Sequence, residues 1–248
     1  MRVACLYDIH GNLPALEAVL RELRSINVER VVIGGDVIPG PMPRECLDLV
    51  FGLDIPTDFI IGNGDRETIA ARRGELSAKI PDYVRESMHW NAKQLLDRDE
   101  RAIGSWPLMT RLQAQGIGEV VFCHATPRND TEIFTAATPE AKLLPIFDRL
   151  GADLVVCGHV HMQFDRMVGR TRVINAGSVG MPFQDPGAYW LLIDKDVELR
   201  RTDYDLQAAA ERIRATEYPL ANDFATKNVL SAPSMDAMIA AFANAELT

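Results

Sequence analysis

The sequence predicts an α/β fold organised around a parallel β-sheet, and three observations predict it. Short, wholly apolar runs of buried-strand type recur along the 248 residues. In the first third they alternate with segments of helical periodicity, the strand–helix–strand order that calls for right-handed crossovers and parallel strands. Five of these runs end in a polar residue able to hold a metal ion.

The elements follow in order. Residues 3–7 (V-A-C-L-Y) form the first strand. Leu13, Leu16, Leu20 and Leu23 then recur at helical spacing, with Asn12 placed as an N-cap. Residues 31–34 are a second strand, 43–53 a helix and 59–62 a third strand. From 67 to about 115 the chain is charged and helical with no convincing strand, which predicts a helical insertion over one end of the sheet. Strands resume at 119–123 and 153–157, with a helix near 140–150 between them. Residues 164–168, 171–174, 189–193 and 197–203 are closely spaced short strands, which predicts an antiparallel meander. The tail from about 205 to 248 is helical, and Met235, Met238, Ile239 and Phe242 share one face of its last segment. That face suits docking against the body or against a second copy in a homo-oligomer. No repeat or linker divides the chain, so residues 1–248 read as one domain.

Composition excludes some partners. Twenty-six basic against 35 acidic residues give a net charge of −9, which argues against a nucleic-acid surface or an anionic membrane. An anionic small molecule stays open, because bound metal reverses the sign of a local site. Cys5, Cys46, Cys123 and Cys157 form no C-x-x-C, and three lie inside apolar runs as small hydrophobes. No stretch approaches the roughly 20 apolar residues of a membrane span, and M-R-V-A-C-L-Y-D has no signal-peptide core, so a reducing cytoplasm is expected.

The strand ends carry the chemistry. The first strand runs into Asp8-Ile9-His10, the second into Gly35-Asp36 and the third into Gly62-Asn63. The next two run into His124 and into Gly158-His159-Val160-His161. Each alone has a plain explanation: Asp as a helix cap, His as a satisfied polar residue, Asn63-Gly64 as a hairpin turn. Together they deliver Asp8, His10, Asp36, Asn63, His124, His159 and His161 to the carboxyl edge of a sheet, where ligands bind in open α/β folds. Seven N and O donors are too many for one tetrahedral zinc and suit two five- or six-coordinate ions sharing a carboxylate. Imidazole with carboxylate favours Mn, Fe, Co, Ni or Zn over Ca or Mg.

The order D-I-H, G-D, G-N-x-D, H-A and G-H-V-H, followed by N-A-G-S-V-G-M-P at 175–182, resembles the calcineurin-like metallophosphoesterase superfamily. Within it the chain is similar to the small bacterial and archaeal branch of predicted phosphodiesterases and diadenosine tetraphosphatase relatives. The resemblance covers residues 2 to about 205. It implies a four-layer α/β/β/α sandwich of two mixed sheets with flanking helices. It assigns Asp8, His10, Asp36 and His161 to one divalent ion, and Asp36 as the bridge with Asn63, His124 and His159 to the other. Manganese is the first choice of metal, and Asp36, Asn63 and His124 are catalytic. The implied reaction is hydrolysis of a phosphodiester in a small phosphoester or nucleotide, by a hydroxide bridging the ions. A dinucleoside polyphosphatase is the alternative. A metal-binding scaffold without catalysis, the role a retromer subunit gives this fold, is the alternative of another class, and the complete ligand set argues against it.

One position departs from the pattern. Many members of the superfamily carry, after the asparagine, a histidine that assists the leaving group as general acid; here Gly64 stands in its place. A general acid contributes about 10²–10⁴-fold, most where the leaving group is a poor one. The departure predicts a preference for phosphoanhydrides or aryl esters over unactivated alkyl esters. His89, outside the ligand set, is the remaining candidate acid. Arg66, Arg128 and the helix start at Asn12 are candidate phosphate contacts, with surface ion pairs and helix capping as the competing explanations. Asp65 is expected to brace the loop or a ligand histidine, and Gly177 and Gly180 to make tight turns behind G-H-V-H.

Overall fold

Alternation along the first strand sets the layers. In β1 (Val3–Leu6) the side chains of Val3 and Cys5 face one core while those of Ala4 and Leu6 face another. Two cores on opposite faces require a sheet covered on both sides, and the chain supplies two such sheets. The computed structural model describes residues 1–78 and 80–247, and at Tyr83 the backbone only.

The first sheet has the order β10-β9-β1-β2-β3 and the second β4-β5-β6-β8-β7. In the first, β2 (Arg30–Ile33) and β3 (Thr57–Phe59) run parallel to β1, with Val3 opposite Arg30 and Val31 opposite Thr57. On the other side β9 (Ala188–Ile193) and β10 (Val197–Thr202) form an antiparallel hairpin, β9 lying against β1. In the second sheet β5 (Gly118–Cys123), β6 (Leu154–Cys157) and β8 (Thr171–Asn175) are parallel. β4 (Met109–Ala114) and β7 (Phe164–Val168) are its antiparallel edges.

Helices α1 (Leu13–Ser25), α2 (Pro43–Phe51) and α7 (Leu206–Arg214) bury their apolar stripes on the outer face of the first sheet. The outer face of the second sheet takes Leu143, Ile146 and Phe147 of α6 (Glu140–Phe147). It also takes the Met235, Met238, Ile239 and Phe242 face of α9 (Met235–Phe242), so that tail docks on the body. Between the sheets Val3, Cys5, Tyr7 and Val32 meet Phe122, Leu154, Val156 and Ile174. The result is the four-layer α/β/β/α sandwich. Each large side chain fully buried in these layers contributes about 1.5–3 kcal/mol.

Two local expectations are corrected, and one competing explanation falls away. The stretch 67–115 is helical only through α3 (Asn63–Arg73), α4 (Asp82–Gln94) and α5 (Asp97–Ile103); β4 then pairs with β5 over its whole length. As an edge strand β4 buries only Leu112 and Ala114 against the inter-sheet core, too few apolar residues to show a period of two. The four C-terminal strands are not one meander but two hairpins in different sheets. β9 is buried at all six positions, so it must lie inside a covered sheet, and it does so beside β1. Finally, Asn63-Gly64 makes no hairpin. The strand ends at Phe59, and Asn63 and Gly64 are the first residues of α3. Asp65 accepts the Gly62 N–H at 3.2 Å, capping the helix from within.

Beyond α7 come α8 (Ala221–Phe224) and a six-residue π-helical turn (Ala225–Leu230). Among the described residues no helix is long and apolar enough to cross a membrane.

Candidate metal centre

The carboxyl ends of strands from both sheets meet at one seam. The first sheet brings Asp8, Asp36 and Asn63; the second brings His124, His159 and His161. His10 joins them from the loop after β1. The sequence suggested a single sheet edge, and the two-sheet seam explains how seven donors from distant segments converge. Asp8, His10, Asp36, His159 and His161 all have positive φ, between 48° and 68°. Left-handed backbone at non-glycine residues costs about 1–3 kcal/mol each and persists where the surroundings enforce it, typically at functional sites.

Hydrogen bonds behind the rings decide what the rings present. His10 Nδ1 lies 3.1 Å from the Pro39 carbonyl, His161 Nδ1 2.7 Å from Met181 O and His124 Nδ1 2.9 Å from Gly34 O. A carbonyl only accepts, so each Nδ1 carries the proton and each Nε2 presents a lone pair inward. His159 is turned the other way: Nε2 meets Thr131 O at 3.2 Å and Nδ1 faces the centre.

The lone pairs then crowd. His10 Nε2 and His161 Nε2 are 3.1 Å apart. Asp8 Oδ1 sits 3.3 Å from His161 Nε2, 3.8 Å from His124 Nε2 and 3.9 Å from His10 Nε2. Asp36 Oδ2 is 3.7 Å from His10 Nε2 and 3.6 Å from His124 Nε2, nearly equidistant from the two histidines. The Asn63 amide end stands 3.2 Å from His124 Nε2 and 2.9 Å from His159 Nδ1.

Asp8 Oδ1 is buried with no hydrogen-bond partner, whereas its Oδ2 takes the His159 N–H at 2.9 Å. Two imidazole lone pairs facing at 3.1 Å beside an orphaned carboxylate oxygen are repulsive unless a cation lies among them. The donor set therefore fits divalent metal. Asp8, His10 and His161 form one group able to hold an ion, and Asp8, Asp36 and His124 a second.

The protonation states agree. Burial, with help from His161, pushes His10 below its ordinary range, and burial brings His159 down to about 4, so both rings stay neutral and ready to ligate. Burial alone would depress His124 too, but the Asp36 and Asp8 carboxylates outweigh it and raise it. Cys123 and Cys157 are buried thiols pushed far up by desolvation, inert beside the centre.

A supporting frame holds these groups. Buried Asp65 accepts the backbone N–H groups of Asp36 at 2.7 Å and Ile38 at 3.0 Å besides that of Gly62. It braces the loops rather than a ligand ring. Gly64 donates its N–H to Asp36 Oδ1 at 2.7 Å. A Cβ there would lie 2.6 Å from Pro39 Cδ and 3.0 Å from Asp36 Oδ1, so a side chain fits only if the proline ring and the carboxylate shift. Ser178 Oγ donates to Asp8 O at 2.7 Å, and Gly180 approaches so closely that a Cβ would meet Ile9 O at 1.8 Å. Asn175 donates to Gly158 O at 2.5 Å and accepts from Gly177 N, which has φ +77°. Sequence reasoning did not single out Asn175 and Ser178 as supports; Asn175 ends β8 as a polar residue after an apolar run, whereas Ser178 lies in the loop beyond it and carries no such signal.

The remaining candidates lie outside the ligand cluster. Asn12 is buried, capping α1 through Ala15 N (3.2 Å) and tethering Gly180 O (2.8 Å). Arg66 holds Asp130 with a two-pronged pair at 2.7 and 2.9 Å, and Arg128 pairs with Glu132. Both guanidinium groups are about half exposed beside the loop whose Thr131 carbonyl meets His159. His89 is exposed on α4 and is not brought to the centre. Its neighbours Ser87 and Met88 instead line a cavity of about 410 Å³ that opens on His10.

A double-sheet sandwich with an imidazole–carboxylate cluster at its seam defines a metal-dependent phosphoesterase architecture. Residues 1–196 match the calcineurin-like phosphoesterase superfamily domain, and the chain belongs to that family. It is similar to an uncharacterized protein of Methanocaldococcus jannaschii, 27% identical over 241 residues, covering 88% of this chain and 93% of that one. Among solved structures it resembles a metallophosphoesterase of Sphaerobacter thermophilus, with TM-score 0.70, 26% identity and coverage of 91% and 97%. A hypothetical protein of Pyrococcus horikoshii shares the fold with TM-score 0.78 and 21% identity, covering 93% of this chain and 99% of that one.

Proposed function

We propose that this phosphoesterase hydrolyses phosphodiester bonds at a dinuclear centre, with manganese as the preferred metal. The observation that carries the reading is the near-equal approach of Asp36 Oδ2 to His10 (3.7 Å) and His124 (3.6 Å), the placement a carboxylate shared by two ions requires. Asp8, His10 and His161 would hold one ion with Asp36; Asn63, His124 and His159 would hold the other. Such a pair supplies Lewis-acid activation of the phosphate and of the attacking water.

The chain's own residues do the rest. The carbonyls of Pro39, Met181 and Gly34 fix the tautomers of His10, His161 and His124, so the neutral rings present Nε2 to the centre. The N–H groups of Gly64 and His159 each hold one oxygen of Asp36 and Asp8, leaving the other oxygen to ligate. Arg66 and Arg128, partly neutralised by Asp130 and Glu132, steer an anionic substrate from the rim.

Gly64 favours a second reading on the same chemistry, a phosphoanhydride such as a dinucleoside polyphosphate. Glycine at residue 64 has no side chain, so leaving-group protonation is not supplied from there. A phosphate leaving group, with its second ionisation near 6, needs little of it.

The test is initial rates of metal-stripped protein reloaded with Mn²⁺ on an aryl diester, an aryl monoester, an alkyl diester and diadenosine tetraphosphate, with Asp36→Ala as control. Diester turnover lost in the variant supports the first reading, and faster anhydride turnover favours the second. Two bound ions with no turnover of any substrate would favour the non-catalytic scaffold.

A further inference from the structure

The cavity beside the centre has a wall that the family domain does not supply. Its floor is His10, Pro39 and Met181, and its near side is Val84, Ser87 and Met88 of α4. The far side is Tyr218, Leu220 and Phe224, together with Asn228 and Pro233. All of these far-side residues lie beyond residue 196, where the family match ends. Met88, Tyr218 and Phe224 are at most 8% exposed, so this wall is packed and held in place. Trp90 stacks edge-on behind Tyr218 at 5.4 Å, and Tyr218 in turn against Phe224.

The rim differs in chemistry. Lys227 and Asn228 reach the cavity from the π-helical turn Ala225–Leu230, and Lys227 pairs with Asp223 at 2.8 Å. π-Helical turns are rare and cluster at functional sites, where the wider turn brings successive side chains to one wall. At about 410 Å³ the cavity falls within the usual range of small-molecule pockets. Of the seven residues at the centre His10 alone lines the cavity, so the two adjoin through that ring.

We propose that this cavity is the subsite for the organic group of the ester, and that it selects a flat apolar group, a nucleobase or an aryl ring, over a small alkyl group. The proposal rests on the phosphodiesterase reading for its chemistry. The apolar wall of Met88, Met181, Tyr218, Leu220 and Phe224 takes the ring, while His10 on the shared floor keeps the phosphorus next to the centre. The Lys227–Asp223 pair, both of whose members line the cavity, makes its rim polar without a net charge.

The full-length Mn²⁺-loaded protein is assayed on phosphorothiolate diesters with a common trifluoroethanethiolate leaving group, which carries no ring, and methyl, phenyl or thymidine 5′ as the second group, and the released thiol is measured. The leaving group is constant, so the ratio of kcat/KM values, each divided by that ester's uncatalysed rate, reads the subsite. Burial of a ring in an apolar wall predicts an advantage of about 10–100-fold over methyl. A phenyl value at or above the thymidyl value identifies an aryl occupant, and the reverse a nucleobase.

Asn228→Trp, which fills the cavity from its half-buried rim, should bring the phenyl-to-methyl ratio towards one; Leu220→Ala, which removes part of the wall, should lower it several-fold. Equal rates for all three esters, or ratios unmoved by both variants, overturn the proposal and leave the phosphodiesterase reading intact. If no ester turns over, that reading fails, and the affinities of phenylphosphonate and methylphosphonate, measured by calorimetry, decide the cavity. A tenfold preference for phenyl that Asn228→Trp abolishes supports it; equal affinities overturn it.

Discussion

Gly64 offers the sharpest test of how the centre is built. In Gly64→Ala the new methyl carbon would lie 2.6 Å from Pro39 Cδ, 3.0 Å from Asp36 Oδ1 and 3.1 Å from Ile38 O. Carbon atoms in contact normally stand about 3.5–4.0 Å apart, so the proline ring must move by roughly 1 Å. The Asp36 carboxylate must move as well, although the Gly64 N–H holds it at 2.7 Å. Overpacking of this size in a buried site costs about 1–3 kcal/mol. The expected result is a fall of that size in unfolding free energy, read from the urea midpoint of the metal-free protein. Because Asp36 is displaced, the calorimetric affinity for Mn²⁺ should fall about tenfold, a difference of ~1.4 kcal/mol.

Gly64→His extends the test. If the glycine is there because nothing larger fits, the histidine variant binds metal poorly and gains nothing on an alkyl diester. A tenfold gain on that ester with metal affinity intact would refute the packing argument and leave the missing acid as the whole reason for the residue. An alanine variant with unchanged midpoint and affinity would refute it equally.

Two further outcomes are expected. Asp65→Ala leaves the N–H groups of Asp36, Ile38 and Gly62 buried without their acceptor, so the unfolding free energy from urea titration should fall by about 3 kcal/mol or more, with Asp65→Asn recovering part of the loss. His159 binds its proton near 4 in the fold because burial opposes the charge, against 6.5 when unperturbed. As pH falls below 6.5 the unfolded chain therefore takes up that proton first, and the metal-free fold loses about 2 kcal/mol between pH 7 and pH 5 from this group. Urea midpoints at the two pH values should show this difference in the parent and lose it in His159→Asn; an identical pH dependence in both would contradict the assignment.

Much of the architecture was legible because it rests on burial. β1, β2, β5 and β6 are almost wholly apolar, and the residues that end them are the polar ones a strand interior would reject. Both signals survive in the sequence without knowledge of the partner strands. β4 was illegible for the opposite reason: an edge strand needs few apolar residues, and its pairing with β5 is made by backbone groups that carry no composition. Sheet membership was equally hidden. Nothing local in Tyr189–Ile193 says whether the strand returns to β1 or continues beside β8; that choice is made by which central edge still lacks cover.

Within the site, the convergence of the seven strand-end residues and the bracing role of Asp65 were readable from their positions at strand ends and helix starts. Asn63-Gly64 is a hairpin signal when read alone, set aside for a strand-end role; it opens a helix because the dipeptide reports conformational freedom, and a helix start after Gly62 uses that freedom differently. The cavity could not be read at all. Its wall joins α4 to residues more than 130 positions later, and helical periodicity says which face is apolar but not what it meets.

The place of β9 has a consequence for how the protein comes into being. β1 is the third residue to the sixth, yet its antiparallel neighbour is Ala188–Ile193. Throughout synthesis of the intervening chain, one long side of β1 has its N–H and C=O groups open, and the apolar face meant for α7 has no cover either. Closing a loop of that length is slow compared with local pairing. The growing chain therefore carries an unpaired apolar edge for most of its synthesis, the kind of edge that other chains add to. Asp8 and His10 lie just past that edge, and their histidine partner His161 arrives only near the end of the same interval. The grouping of Asp8 and His10 with His161 cannot close on metal before then, so until that point shielding of the β1 edge has to come from outside the chain, from speed, or from the smaller grouping of Asp8, Asp36 and His124.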